Sequence, residues 1–376
     1  MSQDHLLLPV SIGEALDKLT ILDIKCKKIT DERKAHCEKE YSTLLADLSG
    51  YVSSWPWHYD ILREINLSLW EIQDEFHGKD VDEITLGRLC SRILLENDRR
   101  FRMKAKINHL ADSQLREQKG YAKKKAFVYG HLGLGDMYWL VGAVRYFATC
   151  YDKVIVVCKK KYATNVEAIY SDDPTIELFL VEDDIVLHPF QLIHRPYLEE
   201  HGLAVFSCGV NSDLVKPEGY YVYEFPYCFY DDLRISREYR TKYFYMAKHT
   251  QADEMVNLIK SLAPRYILVH QQSQYNKLPI WDYVEAYTDL PVLDVNENHY
   301  PEGHKYYLLA SIVVNKPLWV YTKLFEEAEE IHLLESSVYC MASHLDLSRV
   351  KDKVCYQAYG GSNERLGIFR TGKLPA

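Results

Sequence analysis

Over roughly the first hundred positions apolar residues recur at helical spacing, whereas beyond position 126 they come in short runs broken by glycine and polar clusters. In the first stretch Ser11-Ile-Gly-Glu14 has the form of a capping box, with Ser11 as N-cap and Glu14 at the third helical position. Behind it Ala15, Leu16, Leu19, Ile21, Leu22 and Ile24 form a wide apolar face. Leu62, Ile65, Leu69, Trp70 and Ile72 predict a second helix over 59–76, and Leu86, Leu89, Ile93 and Leu94 a third over 82–110. Helices in this order make an antiparallel hairpin or small bundle. Asp98, Arg99, Arg100, Lys104 and Asn108 either line a site or form a salt-bridged face. The basic stretch 113–125, with Lys119, Lys123, Lys124 and Lys125, reads as a linker, solvated or steering an anionic substrate.

From Ala126 strands and helices alternate. Strands are predicted at 154–158, 176–181, 203–207 and 221–225, then a helix at 251–262. The pattern restarts with strands at 266–270, 292–295, 318–321 and 332–334, and helices at 280–288, 304–314 and 336–345. Such alternation implies parallel sheets with helices on both faces. The expected fold class is therefore α/β, two Rossmann-like lobes preceded by an all-α helical domain. The divisions are a helical bundle at 1–118, an N-terminal lobe at 119–258 and a C-terminal lobe at 259–376, with ligands at the carboxyl ends of the strands.

Three spots sit at such strand ends. In the first, residues 126–136, an apolar run breaks into Gly130, Gly133 and Gly135 and ends on Asp136, directly before a helical pattern. Glycines let backbone N–H groups approach a ligand, and a helix start attracts anions. The order Gly-x-x-Gly-x-Gly-Asp is not the dinucleotide fingerprint Gly-x-Gly-x-x-Gly, so NAD is not the first reading; a tight turn without a ligand gives the same pattern. The second is the polar octet from His270 to Lys277, with Gln272 and Ser273, whose donors suit phosphate oxygens. The third is Glu335-Ser336-Ser337, between a predicted strand and helix, where Ser336 also serves as an N-cap.

Composition narrows the class. A net charge of −9 argues against a nucleic-acid-binding surface over the whole molecule. No apolar run reaches the ~18–20 residues of a membrane span. The first residues lack the basic region and apolar core of a secretory signal, so a cytoplasmic location is expected. Nine cysteines without a Cys-x-x-Cys pair suggest reduced thiols rather than a zinc site. His188, His194 and His201 have no ligand-like spacing. The 30 tyrosines suit half-buried packing and sugar stacking alike.

Together the strand-end motifs resemble the GT-B glycosyltransferases, and among them the heptosyltransferase-like families, over residues 124–376. The resemblance implies that Asp136 is the base that deprotonates an acceptor hydroxyl. It implies that His270 and Lys277 belong to a donor-binding strand end, with the lysine on the diphosphate. Glu335-Ser336-Ser337-Val338-Tyr339-Cys340 stands where those families carry Asp-Ser/Thr-Gly-x-x-His, so glutamate, serine and cysteine replace aspartate, glycine and histidine. The implied donor-binding set is Gly133, Gly135, His270, Gln272, Ser273, Lys277, Glu297, Glu335, Ser336 and Ser337, with Glu297 toward the donor ribose. The partners are then a nucleotide-diphosphate-sugar and a glycan or glycoconjugate acceptor. No metal or other cofactor is expected, because lysine and backbone groups would neutralise the diphosphate. Residues 8–110, from Pro9-Val-Ser-Ile-Gly-Glu-Ala-Leu-Asp17 to Asn97-Asp98-Arg99-Arg100, are similar to a small helical family found beside sugar-modifying enzymes.

Two alternatives stand beside this. Glu182-Asp183-Asp184, ending an apolar strand, resembles the metal-binding acidic motif of GT-A glycosyltransferases, which would make transfer metal-dependent. A non-catalytic nucleotide-binding or scaffold protein fits the same helices and sheets.

Overall fold

The computed structural model describes residues 8–120, 122–130, 133–182, 195, 198–209, 225–356 and 367–374. By its internal contacts the chain divides into two compact units, Met1–Lys124 with Tyr146–Asp152, and Lys125–Arg145 with Lys153–Ala376. No helix among the described residues is long and apolar enough to cross a membrane.

The first unit is built on α1 (Ile12–Lys28), α2 (Arg33–Ser54), α3 (Pro56–Phe76) and α4 (Glu83–Leu110). Ser11 caps α1 as the sequence predicts, its Oγ accepting the Glu14 N–H at 3.2 Å. Leu16, Leu19 and Leu22 of α1 are buried, as are Ile61, Leu62, Ile65 and Ile72 of α3 and Met103 and Ile107 of α4. Burial at this level contributes about 1.5–3 kcal/mol per side chain. The sequence pattern missed α2, and its burial says why: only Leu48 of its 22 residues is buried, so there is no apolar stripe to read.

Polar residues of α4 are internally paired rather than open to a ligand. Gly13 donates its N–H to Asn108 Oδ1 at 2.7 Å, and a Cβ at that glycine would lie 2.5 Å from the Lys104 carbonyl. Arg100 grips the buried Asp17, which also accepts from Asn66 at 2.8 Å. Lys104 bridges Glu14 and Glu117, each at 2.7 Å. The motif residues near Gly13 and Arg100 thus fix how α1 and α4 pack.

The second unit holds two wholly parallel sheets. The first, in the order β3-β2-β1-β4, consists of β1 (Lys125–Tyr129), β2 (Lys153–Lys159), β3 (Ile176–Val181) and β4 (Leu203–Ser207). The second, in the order β6-β5-β7-β8-β9, consists of β5 (Ile267–His270), β6 (Val292–Asp294), β7 (Glu330–Leu334), β8 (Asp352–Tyr356) and β9 (Arg370–Gly372). Phe127, Tyr129, Val157 and Val181 pack under the first sheet, and Ile267, Val269, Ile280, Val292 and Val354 under the second.

Helices α5 (Leu134–Cys150), α6 (Ala163–Tyr170), α7 (Cys228–Asp232), α8 (Tyr239–Lys242) and α9 (Thr250–Leu262) follow the first strands. Helices α10 (Ile280–Glu285), α11 (Tyr307–Val313), α12 (Thr322–Glu326) and α13 (Ser337–Ala342) accompany the second sheet. The stretch 318–321, expected as a strand, is a 3-10 turn running into α12. Pro317 before it supplies no N–H for a ladder, and the Tyr321 hydroxyl bonds back to the Val313 carbonyl at 2.6 Å. β8 and β9 escaped the sequence reading. The strand expected at 221–225 falls almost wholly outside the described residues.

Candidate functional site

Each sheet has a point where the chain reverses its strand order, and ligands of open α/β sheets bind outside the carboxyl ends of the strands there. In the first sheet β1 lies between β2 and β4, and in the second β5 lies between β6 and β7. Residues after β1 and β4, and after β5 and β7, therefore border two strand-end crevices. Asp136 and Ser336 follow such strands and His270 ends one, as the sequence suggested.

The first crevice is built from close backbone approaches. Gly133 precedes α5, and its carbonyl accepts the Met137 N–H at 3.1 Å. The Asp136 carboxylate folds back over this turn, so a Cβ on Gly133 would stand 2.6 Å from Asp136 Oδ2. On Gly130 a Cβ would meet Cys208 Sγ at 2.7 Å, at the end of β4. In the first turn of α5 a carboxylate is favoured by the helix dipole. His131 and Leu132 of the glycine motif lie outside the described residues.

Asp232, which the sequence reading missed, belongs to the same corner. Its Oδ2 accepts the Gly209 N–H at 2.9 Å, just after β4. Burial, with Asp232 and Asp136 both contributing, pushes the Cys208 thiol well above its ordinary range. Cys208 is therefore a packing residue rather than a nucleophile.

At the second crevice the buried His270 ends β5, and its Nδ1 lies 3.3 Å from Ser336 Oγ, just after β7. Burial lowers the His270 pKa to about 4, which keeps the ring neutral. The loop beyond is tied inward: Ser273 Oγ accepts the Asn276 N–H at 3.1 Å, and the Gln272 N–H donates to Asn296 Oδ1 at 3.1 Å. Lys277 pairs with Glu297 at 3.0 Å, both half exposed. A pair so exposed contributes about 0–1 kcal/mol, so Lys277 can exchange that partner for an anion. Ser336 caps its own helix, accepting the Val338 N–H at 3.2 Å. As α13 has only six residues, the helix start by itself makes no anion site.

The two crevices meet at Gly135. A Cβ there would lie 2.9 Å from Cys340 Sγ and 3.5 Å from Ser337 Cα. Cys340 of α13 thus lies against Gly135 of α5, where an added side chain would crowd it. One turn on, Trp139 packs edge-on to Tyr339 and His344. The approach sets the turn bearing Asp136 beside the segment Ser336–Ser337.

Acidic side chains near β3 are already engaged. Arg145, fully buried, grips Asp172 at 2.6 Å and lies 3.7 Å from Asp173. Glu182 pairs with Lys160, while Asp183 and Asp184 lie outside the described residues. Among the described residues one group could hold a metal, Glu330, His332 and Asp352, whose ligand atoms lie within 4.8 Å of one another. It sits on β7 and β8, with Glu330 opposite Asp352, at the end of the sheet away from the crevice. Arg370 holds Asp352, and Tyr287 and Tyr356 hold His332, so its ligand atoms all have partners within the protein.

No protein-family model and no curated protein matches this chain. Solved structures similar to it include the dodecameric iron-containing heptosyltransferase TibC in complex with ADP-D-beta-D-heptose, at 14% identity and a TM-score of 0.39. TibC from enterotoxigenic E. coli H10407 is similar at 15% identity and 0.38. Both likenesses cover 65% of this chain and 61% of TibC, so the chain spans less than two thirds of that protein's length. A family 9 glycosyltransferase from Veillonella parvula DSM 2008 is similar at 9% identity and a TM-score of 0.36, over 64% of this chain and 83% of the other. These similar structures are glycosyltransferases, one of them described as a heptosyltransferase, the class the sequence motifs resemble. One expectation is corrected here. TibC is described as iron-containing, so the expected absence of a metal does not stand. That expectation weighed only the charge on a diphosphate, and a metal held elsewhere lies outside such reasoning.

Proposed function

We propose that this protein is a glycosyltransferase that moves a sugar from a nucleotide-diphosphate-sugar to a hydroxyl of a glycan or glycoconjugate. The observation that carries the reading is the contact of Gly135 with Cys340 and Ser337, which brings the two strand-end crevices together within one unit. Asp136, on the first-sheet side, accepts the proton of the acceptor hydroxyl. As that oxygen bonds to the anomeric carbon, the bond from this carbon to the diphosphate oxygen breaks. The electron pair leaves with the nucleoside diphosphate. Lys277, Ser273, Ser336 and Ser337 bind the leaving phosphates, and such preformed donors act where charge develops. Gly133 and Gly135 keep the turn free of side chains, and His270 stays neutral beside Ser336.

A thermal-shift screen of the full chain with ADP, GDP, UDP, CDP and their common sugars tests this. One nucleotide family is expected to raise the melting temperature, and its sugar to be consumed in the presence of glycan acceptors. A protein stabilised by none of them would refute the proposal.

A further inference from the structure

Against α5, the helix that carries Asp136, lies a buried cation that the proposed chemistry does not use. Arg240 of α8 is only 5% exposed. Gly142 of α5 lets the α8 backbone approach, since a Cβ there would stand 2.9 Å from the Arg240 carbonyl oxygen. The guanidinium lies over the rings of Trp139 and Tyr227, 5.5 Å from each centroid. Its Nη1 is 3.0 Å from His344 Nε2. His344 Nδ1 lies 2.8 Å from the Cys340 carbonyl oxygen, which can only accept, so Nδ1 carries the proton and Nε2 accepts from Arg240.

None of these contacts supplies a negative charge. Burial lowers the His344 pKa to about 3, so that ring is neutral, and aromatic faces attract a cation without neutralising it. Both carboxylates of α7 are committed elsewhere, Asp231 to Arg237 and Asp232 to the Gly209 N–H. Other buried cations do find carboxylates: Arg102 pairs with Asp152, Lys104 with Glu14 and Glu117, and Arg145 with Asp172. Arg240 has no carboxylate partner among the described residues. Its Nε is buried without a hydrogen-bond partner, and its Nη2 makes no hydrogen bond among the described residues. Buried charges are ordinarily paired. The unused Nε–Nη2 edge is a side of the fork that takes a carboxylate or phosphate through two parallel bonds.

Position says whose oxyanion this is. Trp139 follows Asp136 by one turn of α5 and also packs on Tyr339 and His344, so Arg240 adjoins the meeting of α5 and α13. The proposed diphosphate contacts all come from the second sheet, whereas Arg240 packs on the helix of the proposed base. Resting on the glycosyltransferase reading, we propose that Arg240 binds an oxyanion, carboxylate or phosphate, carried by the acceptor.

The test compares one sugar ring in three forms: glucuronate, glucose 6-phosphate and glucose. Each is titrated by ligand-observed NMR against the full chain, with the diphosphate site filled by the nucleoside diphosphate that binds best. Wild-type protein should take at least one acid about 10-fold more tightly than glucose, the scale of a hydrogen bond to a charged group. The preferred acid separates a carboxylated acceptor from a phosphorylated one. Arg240→Met should abolish the preference and leave nucleotide affinity unchanged. Arg240→Lys, which keeps the charge without the fork, should retain part of it and serves as the variant if the methionine protein fails to fold. Equal binding of acids and glucose by the wild type would overturn the assignment, as would a preference that survives in folded Arg240→Met. Loss of nucleotide affinity in that variant would overturn it too, by giving the oxyanion to the donor. In each of these cases the transferase reading stands. A wild-type chain that binds no nucleoside diphosphate would overturn that reading and the acceptor assignment with it.

Discussion

Around β1 and β4 the site is made of backbone, glycine and thiol: Gly130 against Cys208, Gly133 under Asp136, and Gly135 against Cys340. Around β5 and β6 it is made of side chains in exposed, exchangeable hydrogen bonds: Gln272 with Asn296, and Lys277 with Glu297. At its glycines the first crevice has no room for a Cβ, and it sets the Asp136 carboxylate against Gly133. The donors of the second are paired with one another, and the exposed Lys277–Glu297 pair can be traded for a ligand. The first should therefore respond to changes of volume and of buried charge, the second to protonation and to single polar groups.

The largest effect is expected at Arg145, on the helix that carries Asp136. Arg145→Met leaves the mostly buried Asp172 and Asp173 without their cation. Breaking such a pair on one side costs about 3–5 kcal/mol, to be read by denaturant unfolding. Loss of less than 1 kcal/mol would show that the fold around α5 does not depend on this buried pair. Next comes Gly135→Val, whose Cβ alone would crowd Cys340 Sγ at 2.9 Å. Overpacking costs about 1–3 kcal/mol and should move α5 from α13, with loss of transfer activity. A Gly135→Val protein with wild-type melting temperature and activity would separate the two crevices.

The second crevice should fail in acid. Buried His270 has its pKa lowered to about 4, whereas the unfolded chain takes up the same proton near pH 6.5. The unfolded state then binds more protons between those values, so stability falls as pH drops from 6.5 toward 4. His344, pushed by burial to about 3, adds to the loss in the same direction. Melting temperatures measured across this window should decline, and His270→Gln should flatten the decline. The smallest effect belongs to Lys277→Ala, which should weaken nucleoside diphosphate binding by about 10-fold without changing the melting temperature. Unaltered affinity would remove Lys277 from the phosphate site.

Sequence periodicity carried α1, α3 and α4 and most of the parallel strands, because their buried residues recur at fixed spacing. It passed over α2, whose exposed surface has no stripe, and it took 318–321 for a strand because a short apolar run has no period of its own. The glycine turn was legible since glycine marks close approach directly in the sequence. Asp232 and Gly209 were not, being brought together by β4 and α7 from 23 positions apart. Asp294 did leave a signal, an apolar run ending in an acid, but its partner His299 lies five residues on, beyond the strand. Cys340, read only as a departure from a family pattern, packs against the bare backbone of Gly135.

Asp136→Asn tests the central claim most directly. Turnover and donor affinity should be measured side by side on the variant and the wild-type chain, with the nucleotide-sugar that the binding screen selects. Donor affinity should stay nearly unchanged, because the proposed diphosphate contacts all come from the second sheet. Turnover should fall by about 10²-fold or more, the scale of losing a general base. Wild-type turnover in the folded variant would contradict the role given to Asp136 and with it the account of the first crevice.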